Sequence, residues 1–213
     1  MTASYSSIKS VELKNNTYNI KNKSITGRTF VADFGNSYWT MKIKTVPITK
    51  TQFLGDFVTH NVDSLFYHTT TKLNRVITSF ILPVWENSNG TASGTVTVVN
   101  ANSTTPAYNK DIGSNKVGVS GGSGTLKAGD LIKFSGHSKV YMLTAEVNLD
   151  GSSIDTISFT PRLLTGVGSN TITYNAVPFQ VIPEGDVESW KASGSSQGNE
   201  LYQYEQTFRE VIR

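Results

Sequence analysis

The chain has 213 residues, no cysteine, a charged fraction of 16% and a formal net charge of +3. A chain of this length can bury a sizeable core, and the lack of cysteine excludes disulfides, thiolate catalysis and Cys-ligated zinc. No apolar run is long enough to cross a membrane and the first residues lack a signal-peptide pattern, so we expect a soluble protein used without export or membrane contact.

The cationic residues are mostly spread along the chain. The nearest approach to a cluster is interrupted by Glu12 and consists of Lys9, Lys14, Lys21, Lys23 and Arg28. A nucleic-acid-binding protein concentrates its cations on one face. We therefore interpret this group as solvated strand and loop edges and predict no specific nucleic-acid binding.

The first 27 residues are polar, with apolar residues too sparse for a regular buried face. This pattern predicts an extended arm or weak strands. An arm that buries little on its own chain commonly lies on a neighbour, so its apolar residues are the predicted oligomer contacts. These residues are Tyr5, Ile8, Val11 and Leu13.

A hairpin is predicted next. Residues 28–34 and 38–46 both alternate apolar and polar side chains, with Trp39 on the apolar face of the second stretch. Gly35-Asn36 between them is a turn signal, so we expect the two strands to pair there.

One helix is predicted after Pro47. Thr49 and Gln52 form a capping-box pattern, and the apolar residues that follow have helical spacing to about His60. Residues 76–84 are rich in β-branched and aromatic side chains and are predicted to form a buried strand.

The composition changes near residue 87. The next segment, to about Gly124, consists mainly of Ser, Thr, Asn, Gly and Val. Short strands at about ten-residue spacing predict a small β-barrel or sandwich. The predicted strands are 91–100, 124–135, 140–147, 154–161, 171–174 and 178–182, and the amphipathic end 201–213 should also pair into a sheet.

Motifs of catalysis are absent from the sequence. The three histidines (His60, His68 and His137) lack zinc-site spacing, and the run Ser120-Gly-Gly-Ser123-Gly, with neither helix nor P-loop lysine after it, is interpreted as a flexible turn. The acidic residues fall at turn and strand-edge positions. We predict no enzyme activity, no metal and no cofactor.

Three tryptophans suggest packing roles. Trp39 should point into a core, whereas Trp85 and Trp190 flank the turn-rich segment and are predicted to seal the junction of two modules. Stacking on sugar rings is the alternative for exposed aromatic residues.

Several stretches together resemble a known family. The most specific is Lys127-Ala-Gly-Asp130 within the run 126–145; the others are 27–30, 36–43, 47–53, 177–179, 202–205 and 210–212. In this order they resemble tail proteins of tailed bacteriophages, especially marine phages, of the distal-tail or baseplate type. The resemblance covers most of the chain.

The resemblance implies a ring-forming protein of the virion tail, assembled in the host cytoplasm. In such proteins a β-barrel module forms a ring, by resemblance hexameric, around the tail channel and contacts other tail, tube or baseplate proteins. A smaller β domain interrupts the module. The implied division is 1–87 plus 184–213 for the ring module and 88–183 for the insert.

The sequence therefore predicts a mainly β fold, with a β-barrel or sandwich ring module, one short helix and a small inserted β domain. The predicted function is that of a structural protein of the phage tail. A carbohydrate-binding module that presents Tyr108, Tyr141 or Trp190 to a host glycan is the alternative. A hydrolase using Asp155 or Glu184 is a third hypothesis.

Overall fold

The computed structural model describes residues 8–53, 77–99, 111–184, 189–193 and 200–212. Contacts within the chain define two units, each described by itself. The first comprises Met1–Asn15, Trp39–Phe80 and Gln180–Val211. The second comprises Asn16–Tyr38, Ile81–Phe179 and Ile212–Arg213.

The fold is mainly β, as predicted. In chain order the elements are β1 (Ile8–Lys23), β2 (Thr29–Thr45), β3 (Ile48–Thr49), α1 (Lys50–Phe53), β4 (Ile77–Ile81), β5 (Ser93–Val98), β6 (Lys116–Leu126), β7 (Leu131–Phe134), β8 (Val140–Leu143), β9 (Val147–Leu149), β10 (Asp155–Thr160), β11 (Thr171–Thr173), β12 (Pro178–Pro183), β13 (Ser189–Ser193) and β14 (Leu201–Glu210). A single 3-10 turn, Pro83–Trp85, follows β4.

The first sheet is built around β14. Its strand order is β1-β2-β14-β12-β4, and β3 and β13 also pair with β14. The predicted inward face of β2 is confirmed, because Trp39, Met41 and Ile43 are all buried. Phe208 of β14 is buried as well and stacks on Phe80 at a ring separation of 5.4 Å.

The predicted turn at Gly35-Asn36 is wrong. β2 is a single strand of 17 residues that continues through this pair, and its hydrogen-bonded neighbour on one side is the 16-residue strand β1. The chain reverses between these strands instead, where Gly27 has a φ of 82° and donates its N–H to Ser24 O at 2.9 Å. A Gly-Asn pair can remain extended because the long partner strand supplies its backbone hydrogen bonds.

The predicted helix is only partly described. α1 covers Lys50–Phe53, and the rest of the prediction, to His60, lies outside the described residues. The buried strand predicted at 76–84 corresponds to β4 with the 3-10 turn after it. Proline at the start of that turn lacks an N–H and so ends the ladder there.

The second sheet closes into a six-stranded antiparallel barrel. The order β10-β8-β7-β11-β5-β6 is completed by pairing of β6 with β10, and β9 adds to β6. Closure removes the sheet edges. Inside the barrel, Phe134, Tyr141 and Phe159 are fully buried and meet edge to face at ring separations of 5.2 to 5.6 Å.

The Ser120–Gly124 run, predicted to be a flexible turn, lies inside the strand β6. β6 has three neighbours along its length: β10 at residues 116–119, β5 at 119–123 and β9 at 124–126. One strand can serve all three only by bending sharply, and Gly121 and Gly122 provide the bend with φ angles of 82° and 69°. The sequence analysis identified the glycines as special but predicted a flexible turn, whereas they bend a strand.

Two other predicted strands are divided in the structure. The stretch 124–135 is split by the turn from Lys127 to Asp130, in which Gly129 has a φ of 93°. The stretch 140–147 is split between β8 and β9. The predicted domain boundaries stay a prediction; β12, which lies within the predicted range 88–183, is paired with β14.

Candidate assembly surface

The β1–β2 hairpin extends beyond the sheet to which it belongs. Of the 17 residues in β2, only residues 40–44 pair with β14, which ends at Glu210. Among the described residues, the remaining part of β2 before Trp39 has β1 as its only strand partner. A two-stranded ribbon is marginally stable by itself, and its outer backbone edges can pair with another strand.

Three of the four predicted oligomer contacts lie on this hairpin. Ile8, Val11 and Leu13 are half-buried residues of β1, the first strand of the sheet, and Tyr5 lies outside the described residues. Because side chains alternate along a strand, Val11 and Leu13 share one face and Ile8 lies on the other. Their role as contacts stays a prediction.

The tip of the hairpin is a tight, hydrogen-bonded turn that presents an isoleucine. Ser24 Oγ lies 2.8 Å from Thr26 Oγ1 and accepts the Arg28 N–H at 3.1 Å. Ile25 between them is fully exposed. Sequence reasoning missed this turn, although the signal was available in Ser24-Ile-Thr-Gly27.

The base of the hairpin is fixed to β14. The Trp39 N–H donates to the buried Glu210 carboxylate at 3.0 Å. On the other face, Glu205 of β14 forms ion pairs with Lys42 and Lys44 at 2.5 and 3.4 Å. The hydrogen bond between Lys42 and Glu205 raises the pKa of Lys42 and lowers the pKa of Glu205. These contacts hold the register of β2 against β14.

The two predicted junction tryptophans are on different elements and in different units. Trp85 is half-buried in the 3-10 turn, where its N–H donates to Leu82 O at 3.0 Å. Trp190 is on β13, opposite Tyr204 of β14. Their role at a module junction stays a prediction.

Among the candidate catalytic groups of the described residues, Asp130 and His137 have structural partners, whereas the buried Oδ2 of Asp155 has no hydrogen-bond partner. Asp130 is buried and accepts the N–H groups of Asn89 and Lys127 at 2.7 and 2.8 Å. His137 lies 3.2 Å from Gly166 O and 3.4 Å from the Tyr141 hydroxyl. Across the described part of the chain, no three His, Cys, Asp or Glu residues converge as a metal site would require. His60 and His68 lie outside it.

The glycan-binding alternative loses one of its candidates. Tyr141 is fully buried in the barrel core, so its ring cannot stack on a sugar. Sequence alternation could not reveal this burial, because Val140–Leu143 is a continuous apolar run without alternation. Tyr108 and the Trp190 side chain fall outside what the structure describes.

None of the helices in the described residues has the length and apolar character needed to cross a membrane.

The described residues define a mainly β protein. It combines a closed six-stranded barrel with a first sheet in which the part of β2 before Trp39 has β1 as its only strand partner among those residues.

The barrel segment is similar to a known family. Residues 94–177, less than half of the chain, match the family model of the B domain of distal tail protein pb9. This match supports a phage distal-tail-like protein with a structural role in the virion tail. No curated protein matches the chain.

Proposed function

We propose that the chain assembles with copies of itself into a ring around the tail channel, at the distal end of the tail and in its baseplate. The observation that supports this proposal is the β1–β2 hairpin, whose outer edges lack strand partners among the described residues. Copies related by rotation would pair ribbon edge to sheet edge, giving each ribbon the third strand that it needs for stability. Six copies is the number that the resemblance implies.

The properties of this chain favour such a contact between copies energetically. Backbone pairing at the edges would set the register, and apolar side chains such as Val11 and Leu13 would provide most of the free energy. A stable interface buries on the order of 1,600 Å² in total. The low charged fraction of 16% helps, because each charge placed in an interface must be desolvated or paired.

The test is the oligomeric state of the purified chain, measured by light scattering and electron microscopy, alone and with neighbouring tail proteins. We expect a closed ring for the unchanged chain. Val11→Asp with Leu13→Asp should give monomers, because two carboxylates would be buried without partners in the contact. The control, Ser10→Asp, changes an exposed residue of the same strand and should leave the ring intact.

A strict monomer at high concentration, with no ring on addition of tail proteins, would refute the proposal. A ring that forms equally well with both aspartates would remove β1 from the contact.

We also infer that the chain has no catalytic activity and needs no cofactor. This inference is supported by the structural engagement of Asp130 and His137 described above. A turnover screen on polysaccharide and peptidoglycan should give no product. Product that is lost in Asp155→Asn or Glu184→Gln would establish a hydrolase instead.

A further inference from the structure

Asn89 fixes the segment that enters the barrel. Its backbone N–H and its side-chain amide both donate to Asp130 Oδ1, at 2.7 and 2.9 Å. Asp130 is buried, and its other carboxylate oxygen accepts the Lys127 N–H at 2.8 Å. The side-chain amide of Asn89 therefore supplies a donor that an ionised carboxylate at this position would lack.

The next residue is glycine for a different reason. A Cβ at Gly90 would lie 1.9 Å from Thr125 O and 2.7 Å from Thr125 C, and no side-chain movement can relieve a contact with these main-chain atoms. The segment stays close to β6 after this point, because the Ala92 N–H donates to Thr125 O at 3.0 Å. The hydrogen bonds to Asp130 thus require Asn89, and the close approach to β6 requires Gly90.

These two requirements produce the single Asn-Gly pair of the chain. An asparagine followed by glycine cyclises more readily than one followed by any bulkier residue, because glycine has no side chain to hinder attack by its backbone nitrogen. The site is open to this reaction. Asn89 is exposed to water, and the Gly90 N–H has no hydrogen-bond partner among the described residues.

We propose that Asn89 is a site of spontaneous deamidation and that this modification loosens the barrel. The Gly90 nitrogen forms a bond to Asn89 Cγ, the Cγ–Nδ2 bond breaks, and Nδ2 leaves as ammonia with the Gly90 proton. Water then opens the cyclic imide to give aspartate or isoaspartate. The reaction needs water as its only co-reactant.

Both products convert an attractive contact into a repulsive one. Each loses the amide donor and gains a carboxylate beside Asp130, where Nδ2 and Oδ1 are now 2.9 Å apart. Two carboxylates so close cannot both stay ionised without cost, and Asp130 is buried. Isoaspartate also lengthens the main chain just before the contacts of Gly90 and Ala92 with Thr125.

The modification itself is tested on the folded full-length chain. The chain would be kept for days in mildly alkaline buffer, and digested samples would be analysed by mass spectrometry and by an assay for isoaspartate. We expect the mass gain of deamidation to appear first at Asn89. Asn87, an exposed asparagine of the same segment that is followed by serine, is the internal control and should be modified more slowly.

The consequence is tested with variants in urea unfolding. Asn89→Asp should shift the folding equilibrium about tenfold toward the unfolded chain, since a buried carboxylate loses a donor and faces a like charge. The matched control Asn87→Asp should shift it by less than about threefold, as is usual at an exposed position. Asn89→Asp combined with Asp130→Asn places an amide opposite a carboxylate again and should recover most of the loss.

Each outcome decides one part of the proposal. If Asn89 stays intact in the folded chain while other asparagines are modified, the site is overturned. If Asn89→Asp is as stable as the unchanged chain, or if the combined variant recovers nothing, the repulsion at Asp130 is overturned. Should Asn89→Asp fail to fold, pulse proteolysis of the partly modified natural chain gives the same comparison, because the modified molecules should be cut at a lower urea concentration.

Discussion

Asp130 shows at the residue scale how a polar side chain in this protein serves structure. Its buried carboxylate accepts two hydrogen bonds from Asn89, at the N–H and the side-chain amide, and one from the Lys127 N–H. It thereby joins the turn after β6 to the segment that enters the barrel. Burying a charge is costly unless its hydrogen bonds are satisfied, and here both oxygens are used.

Asp150 gives a pH-dependent prediction at the same scale. Its carboxylate accepts the Ser153 N–H and hydroxyl, each at 2.7 Å, and the Ser152 N–H at 2.8 Å. These hydrogen bonds, with that of the Ser153 N–H first, lower the pKa of Asp150 to about 2. A carboxyl group whose pKa is lower in the folded than in the unfolded chain stabilises the folded state. This stabilisation is fully present when the pH of the solution is above the pKa of the group in the unfolded chain.

We therefore expect Asp150→Ala to lower the free energy of unfolding near neutral pH. The difference from the unchanged chain should shrink as the pH falls from about 4 towards about 2, because the unfolded chain then takes up a proton at Asp150 that the folded chain binds only at lower pH. Urea unfolding across this pH range would measure it. Glu146→Ala, which removes another exposed carboxylate of the same unit, should leave the free energy of unfolding nearly unchanged. A constant difference for Asp150→Ala at all pH values would contradict the assignment.

At the scale of single elements, β6 illustrates why glycine runs are ambiguous. A side chain at Gly122 would place its Cβ 2.8 Å from Val96 Cγ2 and 3.1 Å from Ser93 O. At Gly121 the Cβ would lie 2.6 Å from Thr95 O. The glycines thus allow β5 and β6 to approach closely where the strand bends, which is a use of glycine that composition does not distinguish from a flexible turn.

Gly122→Ala should therefore destabilise the barrel by about 2 to 4 kcal/mol. The positive φ costs about 1 to 2 kcal/mol for a residue with a Cβ, and the close contacts add a similar amount. Gly168→Ala is the matched control, since a Cβ there would have nothing within 4 Å. Thermal and urea unfolding of both variants would measure the effect. Equal stability of the two variants would show that the bend at Gly122 is relaxed in solution.

The hairpin prediction failed for a related reason. Gly35-Asn36 has the composition of a turn, but β1 is long enough to keep β2 extended through it, and Gly27 makes the reversal instead. Which of two glycine-containing segments reverses the chain depends on the length of the partner strand, which local sequence does not encode.

At the scale of the whole molecule, the segments that lead into and out of the barrel are part of its hydrogen-bonding network. The Ala176 N–H donates to Glu86 O at 2.6 Å, and the Ser88 N–H donates to the Asn175 side chain at 2.9 Å. The entering and leaving segments are thus tied to each other, and Asn89 ties the entering one to Asp130. The barrel and its two flanking segments therefore form one hydrogen-bonded unit that has its own hydrophobic core.

We predict that residues 81–179, expressed alone, fold to a stable barrel. The closed sheet and the buried core need no strand from the other sheet. Far-UV circular dichroism and amide NMR spectra would test this. A shorter piece, 93–174, loses the tied connections and should unfold at a lower urea concentration. A narrow range of amide chemical shifts in the spectrum of residues 81–179 would show an unfolded piece and contradict the prediction.

The sequence by itself determined the class of the fold, the inward face of β2 and most of the barrel strands. Alternation and turn residues are local properties, and burial of one strand face follows directly from them. Only the tertiary structure decided which strands close the barrel, which glycines bend a strand and which reverse the chain. Those outcomes depend on partners distant in sequence: the closure of β6 on β10, the support that β1 gives to β2, and the burial of Tyr141 inside the barrel.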